Sequence, residues 1–162
     1  MWVTQWKRGE WVPIFKKEDR QIEKNYRPIT VLPCVDKVYE KLLGQQIVEF
    51  MDIRFNEAVT AYRPQNSCET TLLRLIENWK EELDRKNYVE VLTSDMSKAF
   101  DSLCPTLLIK KLQAYNFSEN ALSLIRSHFH QRENRVRMGS VTSDWKIIKK
   151  GCPQGSTFGP VM

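Results

Sequence analysis

Histidine is scarce in this chain and cysteine is scattered. Only His128 and His130 are histidines, and Cys34, Cys68, Cys104 and Cys152 form no C-x-x-C pair. A zinc finger cannot be assembled from that set. Four separated cysteines read instead as free thiols in a reducing compartment. No apolar run approaches the ~18 residues that a membrane-spanning helix needs. The opening stretch MWVTQWKRGEW has no continuous apolar core of the kind a signal peptide carries. Internal repeats and low-complexity linkers are absent as well. These absences lead to the expectation of a soluble chain inside the cell, in cytoplasm or nucleus.

What is present suits one folded domain. A chain of 162 residues, 41% of them apolar, can bury roughly 70% of its unfolded surface. The net charge of +5 and isoelectric point near 9.0 favour an anionic partner. An excess this modest is also common in proteins that bind no nucleic acid.

Periodicity divides the chain. From Val35, apolar residues recur at Val38, Tyr39, Leu42, Leu43, Ile47, Phe50 and Met51, the spacing of one helix face. A second helix is predicted after Ser67, with Leu72, Leu75, Ile76, Trp79 and Leu83 on one side and Asn66 and Glu69 closing its first turn. NYVEVLT then alternates and predicts a strand. Pro105 suits the first turn of a helix carrying Leu108, Leu112 and Tyr115, and another begins near Ser118 with Leu122, Ile125 and Phe129. NRVRMGSVTSDWKII predicts a hairpin, with Val136 and Met138 facing Trp145 or Ile147. WVPIFKKEDRQIEKNYRPITVLP fits a hairpin whose charged tip holds Lys16, Lys17, Arg20 and Lys24. GCPQGSTFGP, with three glycines and two prolines, is a loop. The fold class is α+β, helices packed on a small sheet.

A few residues could carry chemistry. A strand that ends in Asp95 before a turn would hold a carboxylate rigidly at a sheet edge, where magnesium takes one or two carboxylates plus substrate phosphates. The same pattern also fits a side chain capping the next turn. Asp101 reads as a cap for the helix entered at Pro105. PQGS with FGP behind it leaves backbone bare enough for a nucleotide to lie close, and Gln154 offers an amide that both donates and accepts. Such loops are also ordinary turns. Arg27, between an aromatic residue and a proline, has a planar fork suited to phosphate oxygens.

Taken in order, WKRGEWVPIFKKED…NYRPITVLPCVDKVYEKLL, AYRPQNSCETTLLRL, SDMSKAFDSL and GCPQGSTFGP resemble the reverse transcriptase domain of non-LTR retrotransposons. The resemblance runs nearly end to end and implies a partial fingers-and-palm fold: 1–87 mainly fingers, 88–105 a palm strand with the metal aspartate, 106–150 helices and hairpin, and 151–162 the start of the nucleotide-pocket loop. It implies an RNA-directed DNA polymerase, a nucleotidyltransferase acting on an RNA template, a DNA primer and deoxynucleoside triphosphates. Asp95 would be the catalytic Mg2+ ligand, and Phe100 the aromatic under the incoming sugar that excludes a 2′-hydroxyl. Gln154 and Gly155 would line the nucleotide pocket, and Lys16 and Arg27 would grip the triphosphate. Arg63 falls in AYRPQ, where Ala and Tyr replace the family's Gly and Phe.

One departure shapes the expectation. The family's next block, aromatic-x-Asp-Asp, supplies the remaining metal carboxylates, and no Asp-Asp pair occurs in these 162 residues. The chain is therefore expected to be a C-terminally truncated fragment, inactive by itself and weakly folded where its palm strand lacks neighbours. The alternatives are a non-catalytic nucleic-acid-binding remnant of a retroelement and a group II intron maturase-like protein.

Overall fold

In the computed structural model, residues 1–96 and 98–161 are described, Val161 by its backbone alone. Two compact units emerge, residues 1–46 with 98–162, and residues 47–97.

The first unit is built on two ribbons. β1 (Arg8–Phe15) pairs antiparallel with β2 (Tyr26–Val31), setting Ile14 opposite Arg27 and Pro13 opposite Pro28. Proline lacks the N–H a ladder needs. Here the two face each other at a pair whose nitrogens point away from the partner strand, a parity shared with Thr30, whose N–H turns outward to Gln154 O at 2.6 Å. The tip between the strands carries Lys16, Lys17, Arg20 and Lys24 as expected, all exposed. It is pinned by Lys16 N donating to Asn25 O and by the buried Asn25 amide donating to Asp19 O, both at 2.8 Å.

β3 (Glu133–Met138) joins the other edge of β1 in parallel, and Glu10 pairs there with both Arg135 and Arg137. β4 (Val141–Thr142) and β5 (Lys146–Ile147) both pair antiparallel with β3, completing a small mixed sheet. The second hairpin thus forms, but its turn is at Gly139, with φ +61°, so Met138 pairs with Val141 rather than with Trp145 or Ile147.

Helices complete this unit. α1 (Cys34–Asp52) starts in it; α3 (Ala99–Ser102), α4 (Pro105–Ala114) and α5 (Glu119–Phe129) follow later. Pro105 does open α4, and Ser118 caps α5 by accepting from Ala121 N. Leu108, Ile109 and Leu112 of α4 and Leu122, Ile125 and Phe129 of α5 form the core together with Trp2, Leu32 and Phe158. Asp101 is not a cap for α4; it lies inside α3, and Cys104 occupies the cap position without a side-chain bond. The α1 face also differs from expectation. Val35, Val38 and Leu42 are exposed, whereas Asp36 and Glu40 are fully buried, because polar partners wait for them inside.

The second unit holds the end of α1 and α2 (Cys68–Asp84). Its capping box uses Ser67 and Thr70 instead of Asn66 and Glu69, since the hydroxyl of Ser67 already sits at the cap. The predicted palm strand at 88–93 does not form: residues 87–96 adopt no regular structure, and Tyr88 and Leu92 are 101% and 96% exposed. A strand exists only when a neighbour completes its ladder, and no strand is present among the described residues of this unit. No helix among the described residues is long and apolar enough to cross a membrane.

Candidate active site

The GCPQGS loop is shaped by two glycines. Gly151 has φ +88°, and a Cβ there would lie 3.1 Å from the Asp101 backbone and the Phe100 carbonyl. Its N–H donates to Leu103 O at 2.8 Å, and Cys152 N donates to Phe100 O at 2.8 Å. Gly155 has φ +110°, and a Cβ there would approach Thr30 O to 2.9 Å. Only glycine allows that backbone to lie so close.

Between them stands Gln154. Its carbonyl accepts from Thr30 N, and its side-chain amide donates to Asp101 Oδ1 at 2.9 Å. The loop thereby ties α3, with Phe100 and Asp101, to the outer edge of β2. A cavity of about 510 Å³ opens beside it, lined by Trp11, Pro28, Asp101, Lys149, Lys150 and Gln154 among others.

The sequence-predicted residues divide between the units. Phe100, Gln154 and Gly155 come together, with Phe100 36% exposed. Arg27 is exposed on the β2 face it shares with Ile29, whose Cγ2 lies 3.5 Å from where a Gly155 Cβ would stand. Lys16 is exposed at the hairpin tip, two residues past Ile14, the partner of Arg27. Arg63 and Asp95 belong to the other unit. The Arg63 guanidinium staples the loop after α1, bonding Asp52 Oδ1 at 2.9 Å and the carbonyls of Asp52, Asn56 and Val59 at 3.2–3.4 Å.

Asp95 is exposed and lies outside any helix or strand, so it is not at a strand tip. Among the described residues no three His, Cys, Asp or Glu side chains gather as a metal cluster. A lone carboxylate does not fit magnesium, which needs a shell of oxygens; these residues do not make that site unaided.

The sequence reading missed a buried polar network behind the loop. Asp36 Oδ1 accepts from Trp2 Nε1 at 2.8 Å, and its Oδ2 lies 3.6 Å from Arg132 Nη2. Arg132 Nη1 lies 3.0 Å from His128 Nδ1. Arginine can only donate, so that nitrogen accepts and the imidazole is neutral. Burial lowers the His128 pKa well below its usual 6.5, with Arg132 and Lys7 adding. Burial likewise raises both Asp36 and Glu40. The available signal was a pair of acids four apart, Asp36 and Glu40, on one face of the helix stretch VDKVYEKLL.

The sequence model of the family described as reverse transcriptase (RNA-dependent DNA polymerase) matches residues 14–162. The chain belongs to that family. As a reverse transcriptase family member it is similar to "Probable RNA-directed DNA polymerase from transposon X-element" of Drosophila melanogaster, 31% identical over 98% of this chain and 18% of the relative. It is also 27% identical to "Probable RNA-directed DNA polymerase from transposon BS" of the same species, over 98% of this chain and 18% of the relative. The type-1 retrotransposable element R2 polyprotein of Popillia japonica is 23% identical, over 98% of this chain and 22% of its own length. The chain thus spans about a fifth of the curated relatives it matches.

Proposed function

We propose that this reverse transcriptase segment supplies the fingers and nucleotide-pocket wall of an RNA-directed DNA polymerase that extends a DNA primer on an RNA template. The observation that carries the reading is the glycine-shaped loop bonding Gln154 to both Thr30 and Asp101 beside Phe100. That loop lies next to the strand face bearing Arg27.

Each side chain has a task in this reading. Phe100 packs under the deoxyribose and leaves no room for a 2′-hydroxyl. Gln154 and the bare backbone at Gly155 align the sugar and the paired base. Arg27 and Lys16 neutralise triphosphate oxygens, as phosphoryl transfer depends mainly on positioning and charge. Asp95 is offered as one Mg2+ ligand, the other carboxylates coming from sequence outside these residues.

The test is a graft of residues 1–162 in place of the matching segment of the X-element relative. The graft should extend a primer with deoxynucleotides. Asp95→Asn should cut the rate by about two orders of magnitude or more, as for loss of a main electrostatic stabiliser, and Phe100→Ala should admit ribonucleotides. A folded but inert graft would sink the reading. A second reading, a non-catalytic nucleic-acid binder, is favoured by the exposed basic tip and the +5 charge. It requires binding of an RNA–DNA hybrid that weakens steeply with salt.

A further inference from the structure

α1 reaches the pocket loop through one side chain. Glu40 is fully buried, and its Oε2 accepts from Ser156 Oγ at 2.8 Å and from Thr157 N at 3.0 Å. With its proton given to that carboxylate, the Ser156 oxygen accepts from Phe158 N at 3.1 Å and Gly159 N at 3.2 Å. One carboxylate and one hydroxyl therefore satisfy three consecutive backbone donors immediately beyond Gln154 and Gly155. Burying a carboxylate is costly unless donors surround it; here the loop supplies donors to Oε2, while Oε1 has no hydrogen-bond partner among the described residues. The bonds of Gly151, Cys152 and Gln154 hold the first half of the loop; Glu40 and Ser156 hold the second half. Glu40 does not line the cavity, so any effect it has there passes through Ser156 and Thr157.

We propose that Glu40 is a positioning residue for the nucleotide pocket, fixing residues 156–159 so that Gln154 and Gly155 are presented in one geometry. The inference rests on the reading of this loop as the pocket wall. Its first test uses the 162-residue chain and hydrogen exchange. Ser156→Ala strands no excess charge and should speed exchange at the amides of 157–159 by about tenfold or more. Amides of α4 and α5 should keep their protection. Glu40→Gln retains an acceptor oxygen and should restore part of the protection that Glu40→Ala removes. If Glu40→Ala unfolds, Ser156→Ala decides. Amides 157–159 as slow as in the wild type would overturn the proposal.

The second test uses the graft. Ser156→Ala and Glu40→Gln should raise KM for deoxynucleotides about tenfold with kcat within about twofold, the sign of lost substrate positioning. A loosened loop with unchanged KM overturns the positioning role. If Gln154→Ala also leaves KM unchanged, the fault lies with the pocket reading itself.

Discussion

At the scale of single residues, burial sets neighbouring side chains titrating in opposite senses. Asp36 and Glu40 are raised from 3.8 and 4.5, chiefly by desolvation. A carboxyl whose folded value is raised adds stability below its unfolded value and loses it as pH climbs through the folded one. His128 is lowered from 6.5, so its contribution is present above that value and is lost as pH falls toward the folded one. As pH falls below 6.5 the histidine lowers stability while the two carboxyls raise it, so the two effects oppose each other. His128→Gln should therefore gain stability relative to the wild type on going from about pH 7 to about pH 5, read from urea midpoints. An unchanged difference would mean the imidazole charges freely in the fold. Cys152 gives a second check. Burial pushes its thiol up to about 12, and only the thiolate reacts. Pulsed alkylation should mark exposed Cys34 and Cys68 and spare Cys152 until the chain unfolds.

At the scale of elements, backbone conformation makes the stronger demands. Gly155→Ala places a methyl 2.9 Å from Thr30 O at φ +110° and should cost more than about 1 kcal/mol. Gly139→Ala, at φ +61° with nothing within 4 Å, carries only the backbone strain and should cost less. Denaturation midpoints of the two variants decide it. Ser67→Ala removes the capping box of α2 and should lower stability by about 0.5–2 kcal/mol, measurable by the same means. The first hairpin, α4, α5 and the glycine loop could be read from the chain because their signals are local: Pro105 at a helix start, Ser118 at a cap, apolar pieces flanking a charged tip in WVPIFKKEDRQIEKNYRPITVLP. The α1 interior could not. The apolar spacing from Val35 to Leu42 describes a face that solvent covers, while the buried face is chosen by Trp2, Arg132 and Ser156, which lie far away in sequence.

At the scale of the whole molecule, the same limit explains residues 88–93. Their alternation is genuine, but a ladder needs a neighbour. Tyr88, Leu92 and Met96 are left exposed, the kind of apolar surface that drives association. Proteolysis should cut first within residues 88–96, and sedimentation should show self-association. A monodisperse monomer with one sharp melt would contradict this. The GCPQGS loop with Gln154 and Gly155 was legible from its glycines and proline, whereas Phe100 rests on the family resemblance alone. Asp95 reads in the sequence as the tip of a strand, and it lies outside any strand, in the other unit. At the other end of the chain, Trp2 precedes residue 14, where the family match starts. Yet its indole is wedged against Tyr39, His128 and Phe158 and bonded to Asp36. A gene trimmed to the matched stretch would empty the keystone's seat and strand an acid in the dark of the protein. The working border of this domain belongs no later than Trp2.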